Sequence, residues 1–301
     1  MKEITTKLQE IAARLLSEQQ VDFFLAWQKG MYEYQTKPLY VRKAGDAGRI
    51  VFDEYSINNL AVPLLKFRDG HEKIGLAVKG CDSRALVRIL EDNQFDRERL
   101  YIVGICCPGL KDPIKAMRAG SNMSKDGCEQ GEVANKCNDC IQPNPVIYDE
   151  LIGSEQSPRV GERFSRVVEI EAMDLDQRYA FFQNEFSKCI RCYACRQVCP
   201  ACNCRTCIFD EMKPQWVGRE HNETDNTMYQ LVRYMHMIGR CVECGECERV
   251  CPVDIPLMLL SQKMVKDVSR HFGPFEAGIE YTPGRKPPLS QFEYKDPDFF
   301  L

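Results

Sequence analysis

Eight cysteines in the C-terminal half have the spacing that holds iron–sulfur cubanes. Cys189-Ile-Arg-Cys192-Tyr-Ala-Cys195-Arg-Gln-Val-Cys199-Pro200 reads C-x2-C-x2-C-x3-C-P, and Cys241-Val-Glu-Cys244-Gly-Glu-Cys247-Glu-Arg-Val-Cys251-Pro252 repeats it without a departure. Three thiolates, each three residues from the next, can wrap one loop around a cubane and reach three of its irons. The fourth cysteine is carried away on the following helical turn, and the proline then redirects the chain.

In proteins with two such runs, the fourth cysteine of each ligates the cluster of the other. This predicts one 4Fe-4S cluster on Cys189, Cys192, Cys195 and Cys251, and a second on Cys241, Cys244, Cys247 and Cys199. The crossing forces the two close together, as an electron wire requires. Zinc is the competing reading, but structural zinc takes two separated CxxC pairs with four ligands per metal. Two complete runs, each with its proline, fit that poorly. The segment 200–240 between the runs is too long for a minimal ferredoxin and resembles the α-helical ferredoxin domains of succinate dehydrogenase and heterodisulfide reductase. Its Cys202, Cys204 and Cys207 read as spare thiols or as wall around a cluster. Lys188, Arg191 and Arg196 flank the first run and are expected to raise that cluster's potential. Glu243, Glu246 and Glu248 flank the second and are expected to lower its potential.

The wider composition agrees. Among 301 residues there are 17 cysteines, too many for packing alone, and the net charge of −4 with no basic block argues against nucleic acid. The start of the chain carries acids and sets Ile4, Leu8, Ile11 and Leu15 on one helical stripe, so it reads as part of the fold rather than a secretory signal. No apolar run approaches the roughly 20 residues of a membrane span. Clustered thiols in a reducing, cytoplasmic setting bind metal or do redox chemistry more often than they form disulfides.

The elements that must position these groups begin with an α/β region. VDFFLAWQKG (21–30) reads as a strand, SINNLAVPLLKF (56–67) as a helix despite Pro63, KIGLAVK (73–79) as a buried strand, CDSRALVRILEDN as a helix capped by Asp82 or Ser83, and YIVGICC (101–107) as the next buried strand. Strand, helix and strand at this spacing make a βαβ unit with parallel strands. Cys81 and Cys107 then lie at the same carboxyl edge, where open α/β sheets bind ligands. The helix N-terminus, with Lys79 and Arg84 nearby, suits an anionic cluster or a phosphate. Residues 111–145 read as a long loop carrying Cys128, Cys137 and Cys140, of which Cys137 and Cys140 are placed to complete four ligands. Adjacent Cys106 and Cys107 face opposite sides of a strand, so one of them serves. Buried cysteine is also a common small core residue, and spacing alone leaves both readings open. Further on, helices are expected over 228–239, ending at Gly239, and over 255–272, with Thr224 or Asp225 as a cap. This divides the chain into an α/β domain (1–165), an α-helical ferredoxin domain (166–272) and an extended, proline- and aromatic-rich tail (273–301).

GCDSR (80–84), G-x-x-C (104–107), CNDC (137–140) and NPVIYDELIG (144–153), in that order before the two runs, resemble the beta-subunit family of deazaflavin-reducing hydrogenases and formate dehydrogenases over roughly residues 70–255. The resemblance implies a third 4Fe-4S cluster on Cys81, Cys107, Cys137 and Cys140, with Cys128 as substitute, and FAD near Lys79 and Arg84. The chain departs from the family at the first turn, where GCD replaces a small residue, proline and cysteine, and this bears on the flavin site more than on the cluster. The function implied is an iron–sulfur subunit of a cytoplasmic, anaerobic redox complex. It would carry electrons between a catalytic partner (hydrogenase, formate dehydrogenase or NADH-oxidising flavoprotein) and a heterodisulfide-reductase-like acceptor. The alternative is a flavin-containing catalytic beta subunit that interconverts two-electron and one-electron chemistry itself.

Overall fold

The computed structural model describes residues 1–119, 133–159, 162–288 and 290. Cys128 and the end of the tail (289 and 291–301) lie outside the described residues. The chain divides into two compact units, Met1–Gly161 with Gly278–Gly284, and Glu162–Ala277 with Arg285–Leu301.

The first unit is a five-stranded mixed sheet. It comprises α1 (Lys2–Ser17), β1 (Phe23–Lys29), β2 (Thr36–Val41), α2 (Ala61–Leu64), β3 (Ile74–Val78), α3 (Gly80–Glu91), β4 (Leu100–Ile105), α4 (Pro113–Ala119), α5 (Asn135–Asn138) and β5 (Glu150–Ile152). The strand order is β2-β1-β3-β4-β5, with β1 and β2 antiparallel and the other neighbours parallel. The β3–α3–β4 crossover follows the sequence expectation, with Ile74 facing Leu100 and Val78 facing Gly104. Strand β3 is buried along its whole length, which is why it reads as a continuous apolar run. The stripe of α1 buries Leu8, Ile11, Ala12 and Leu15 against this sheet.

Several elements differ from the sequence reading, each for a local reason. Pro63 removes a donor and crowds the preceding turn, so the expected helix over 56–67 shrinks to α2 and a single 3-10 turn at Leu65–Phe67. Helix α3 opens at Gly80, with Lys79 rather than Asp82 or Ser83 at the cap position. Asp82 sits one turn inside, where its Oδ2 accepts from the Lys79 backbone N–H (3.0 Å) and from Lys79 Nζ (2.8 Å). The loop expected over 111–145 contains α4 and α5 among its described residues. The edge strands β2 and β5 carry mixed polar patterns and gave no sequence signal.

The second unit is helical: α6 (Ser165–Glu171), α7 (Leu175–Ser187), α8 (Ala194–Gln197), α9 (Glu223–Met235), α10 (Glu246–Arg249) and α11 (Leu257–His271). Asp174 caps α7 in a reciprocal box with Gln177. Asn222, not Thr224 or Asp225, caps α9, its Oδ1 accepting the Asp225 N–H at 2.8 Å. Regular helix in α9 stops at Met235, and bonds of the tighter i to i−3 kind carry the chain on to Gly239, which takes a left-handed φ of 68°. The described part of the tail has no helix or strand, and its stretch 278–284 belongs to the first unit, where Gly278 lies against the Arg84 backbone.

Gly80 sits where the backbone of 142–143 presses on the first turn of α3: a Cβ there would come 1.9 Å from the Gln142 carbonyl oxygen. Gly80→Ala is expected to destabilise the first unit by about 1–3 kcal/mol, read as a lower urea midpoint in far-UV circular dichroism. An unchanged midpoint would mean that the 142–143 segment yields freely.

Candidate metal centre

Both cysteine runs fold by the same backbone device. Arg191 and Tyr193 take left-handed φ values of 48° and 59°, and Glu243 and Gly245, at the same steps of the second run, take 54° and 68°. The left-handed turn folds an N–H back onto the first cysteine: Arg191 donates to Cys189 Sγ and Glu243 to Cys241 Sγ, each at 3.4 Å. A non-glycine residue held there costs on the order of 1–3 kcal/mol, and three of these four positions accept that cost. The one-turn helices α8 and α10 then carry Cys195 and Cys247, and the chain continues to Cys199 and Cys251.

Sulfurs from the two runs are brought together crosswise. Cys199 of the first run lines one cavity of about 310 Å³, counting its solvent-open part, with Cys241, Cys244 and Cys247 of the second. Cys251 of the second run lies within electrostatic reach of Cys195 and Cys189 of the first. Cys251 is also held by an N–H from Ile255 at 3.4 Å. Cys192 is the exposed member of the eight. Desolvation pushes the Cys241 thiol up to about 12 and drives Cys247 higher still, so in the iron-free chain both are protonated thiols that metal binding must deprotonate. Cys202 is drawn into the same wall: its hydrogen bond with Cys199, aided by burial, holds Cys199 well up, and the same bond holds Cys202 down against the opposing effect of burial. Met237 Sδ touches both, at 3.3 and 3.6 Å. Among the described residues no three Cys, His, Asp or Glu side chains draw close enough to hold a single metal ion.

The residues that sequence reasoning missed lie on α9 and just beyond it. Asn226 donates to the Cys189 carbonyl (2.8 Å), Gln230 Nε2 to Cys189 Sγ (3.4 Å) and Arg233 to the Cys195 carbonyl (3.2 Å), and Tyr229 Oη meets Cys195 Sγ at 3.4 Å. All four side chains are 1% exposed. The signal was present as a polar stripe at helical spacing, 226, 229, 230 and 233, on a helix whose apolar residues Met228, Leu231 and Met235 are instead exposed.

The expected charge asymmetry between the runs is largely cancelled locally. Lys188 pairs with Glu185 at 2.5 Å and Arg196 with Asp210 at 3.0 Å. Glu243 pairs with Arg163, Glu246 with Arg249 at 2.7 Å and Glu248 with Arg166 at 3.7 Å. Arg191 is buried and donates to the Gly218 carbonyl. Paired charges produce weak fields at a distance, so the five paired residues act less strongly than their bare charges would, whereas Arg191 keeps a buried charge on a backbone carbonyl.

In the first unit, Cys81 and Cys107 lie just past the carboxyl ends of parallel β3 and β4. Cys107 is within electrostatic reach of Cys81, Cys137 and Cys140. Desolvation pushes Cys107 up to about 11 and Cys81 well above its usual range, and it raises Cys140. Cys106, by contrast, packs beside Gly153 and couples to Glu155. The two basic candidates are buried. Lys79 stands over the Trp27 ring at 4.0 Å and acts on Cys81 and Cys107, its charge matched by Asp82, while Arg84 acts on Cys140. Lys136 acts on Cys81 and Cys140. A set of four thiols with cations at hand fits an anionic cluster.

Comparison with known proteins bears on both units. Residues 185–255 match the family of 4Fe-4S dicluster domains. Over 93% of its length the chain is 22% identical to F420-dependent formate dehydrogenase subunit beta of Methanocaldococcus jannaschii, covering 92% of that protein. Over 88% it is 24% identical to F420-dependent formate dehydrogenase 1 subunit beta of Methanococcus maripaludis, again covering 88%. A shorter match, 38% identical over 23% of this chain and 42% of the other, is to NADH-quinone oxidoreductase subunit I 2 of Geobacter metallireducens. A solved structure of the F420-reducing NiFe hydrogenase complex from Methanosarcina barkeri overlays on 46% of this chain and 62% of that one, at 18% identity and a TM-score of 0.34, too low to carry an argument.

Thiolate is the reactive form of cysteine, so burial and raised pKa protect a thiol from alkylation. In the iron-free chain at pH 8, iodoacetamide should label exposed Cys192 and Cys204 first and Cys81, Cys107 and Cys241 last, as resolved by peptide mass spectrometry. Equal rates at all five would mean that the cysteine loops need iron to fold.

Proposed function

We propose that this chain, which resembles the beta subunits of F420-dependent formate dehydrogenases and carries 4Fe-4S clusters in a dicluster domain, relays electrons inside a cytoplasmic, anaerobic oxidoreductase complex. The observation that carries the reading is the crosswise meeting of the runs: Cys199 shares a cavity with Cys241, Cys244 and Cys247, while Cys251 approaches Cys189 and Cys195. These two sets are proposed to hold one cluster each. Cys81, Cys107, Cys137 and Cys140 are proposed to hold a third, supported by their mutual electrostatic reach and by the basic side chains around them.

A 4Fe-4S cluster supplies one-electron storage. The protein supplies sulfur ligands, N–H donors and burial, which together tune where that electron is held. The proposed donor and acceptor are a catalytic partner of the hydrogenase, formate dehydrogenase or NADH-oxidising flavoprotein kind on one side, and a heterodisulfide-reductase-like subunit on the other. Both long relatives are formate dehydrogenase subunits, which supports a catalytic partner of that kind.

Anaerobically purified protein should contain about twelve irons and as many acid-labile sulfides, four per cubane. The double variant Cys137→Ser, Cys140→Ser should lose about four irons and keep the interacting paramagnetic signal of the dicluster domain. Iron unchanged in that variant returns these cysteines to the core of the first unit, and iron near four per chain in the parent overturns the dicluster reading. Bound yellow flavin would favour a catalytic beta subunit, and a native pull-down names the partner.

A further inference from the structure

Arg233 is 1% exposed, in the last turn of α9. One Nη donates to the Cys195 carbonyl at 3.2 Å. The other Nη and Nε have no hydrogen-bond partner among the described residues. The guanidinium lies 5.2 Å from the centre of the Tyr234 ring. Its strongest electrostatic neighbours are Cys247, Tyr234, Cys199 and Cys195, and no carboxylate is among them. An isolated buried charge is costly, and a guanidinium does not shed its proton to escape that cost. Cys195 belongs to one proposed cluster set, and Cys199 and Cys247 to the other. Five of the six charged residues flanking the runs are tied up in local ion pairs and Arg191 rests on the Gly218 carbonyl, whereas Arg233 has no ion-pair partner among the described residues.

We infer that Arg233 is a cation shared by the two clusters of the dicluster domain, offsetting their negative charge at the point where the two cysteine sets meet and raising both reduction potentials together. The inference rests on the dicluster reading. Adding an electron to either cluster adds negative charge beside a fixed positive one, in a site screened from water, so the reduced form of each is favoured. The unpaired Nε–H and Nη–H are donors aimed among sulfur ligands.

The test uses the full chain, purified anaerobically, as parent, Arg233→Met and Arg233→Lys, with iron and sulfide counted and both potentials followed by redox titration under electron paramagnetic resonance. In Arg233→Met with full iron, the reduced-to-oxidised ratio of both clusters at a fixed poise should fall at least tenfold, a shift of about 59 mV for a one-electron couple. Arg233→Lys, which keeps the charge, should hold both ratios within about threefold of the parent. Unchanged potentials in Arg233→Met, or a shift confined to one cluster, overturn the inference. If Arg233→Met fails to assemble clusters, Arg233→Lys decides: full iron with near-parental potentials upholds the charge role, and loss of iron there too makes Arg233 a structural residue. A parent with fewer than eight irons overturns the dicluster reading itself, whatever the variants do.

Discussion

Sulfur atoms from two separate loops must meet in one place, and in the C-terminal unit the rest of the structure follows from that demand. In each loop the backbone between successive cysteines turns through left-handed steps. Arg191, Tyr193, Glu243 and Gly245 supply those steps, three of them against their own steric preference. The first loop is held in that shape by helix α9, whose buried face carries Asn226, Tyr229, Gln230 and Arg233 to its backbone and sulfur. A minimal two-loop domain has little apolar core, and here cysteines themselves form much of it, packed with Tyr229, Tyr234, Ile255 and Leu257.

That economy has an electrostatic side. Buried thiols are neutral, so a core made of them gives a buried guanidinium nothing to pair with. The same core loaded with anionic clusters does. Arg233 therefore fits the loaded protein better than the empty one, and iron binding and folding are coupled through it as well as through the ligands. The ion pairs on the rim play a smaller part: Arg163 with Glu243, and Lys188 with Glu185, are partly exposed and screened by solvent.

The N-terminal unit gathers its cysteines by a more familiar arrangement. Parallel strands deliver Cys81 and Cys107 to one edge of a sheet, and α5 and the segment after it bring Cys137 and Cys140 to the same place. The buried pair of Lys79 and Asp82 sits beneath this edge, with Trp27 below the ammonium group. Such a pair contributes little net stability, but leaving either member alone is expensive, so it fixes the first turn of α3 and with it the direction of Cys81.

Local patterns were enough to read several parts of this protein from its sequence. The two cysteine runs are contiguous, so their spacing alone specifies the chemistry. Strands β3 and β4 are buried on both faces and read as apolar runs, and the stripe of α1 has helical period. Tertiary structure decided the rest. Edge strands β2 and β5 exist because neighbours pair with them, not because their residues prefer extension. Pro63 overrode the periodicity around it, and Asn222 took the cap two residues ahead of the expected position. The flanking charges promised opposite fields, and ion-pair partners, one as distant in sequence as Arg163 is from Glu243, weaken five of the six. Arg233 looked like one more basic residue on a helix. Only the burial of α9's polar face, which depends on where the two loops fold, set that charge between them, because electrostatic energy depends on distance and dielectric and a linear sequence records neither.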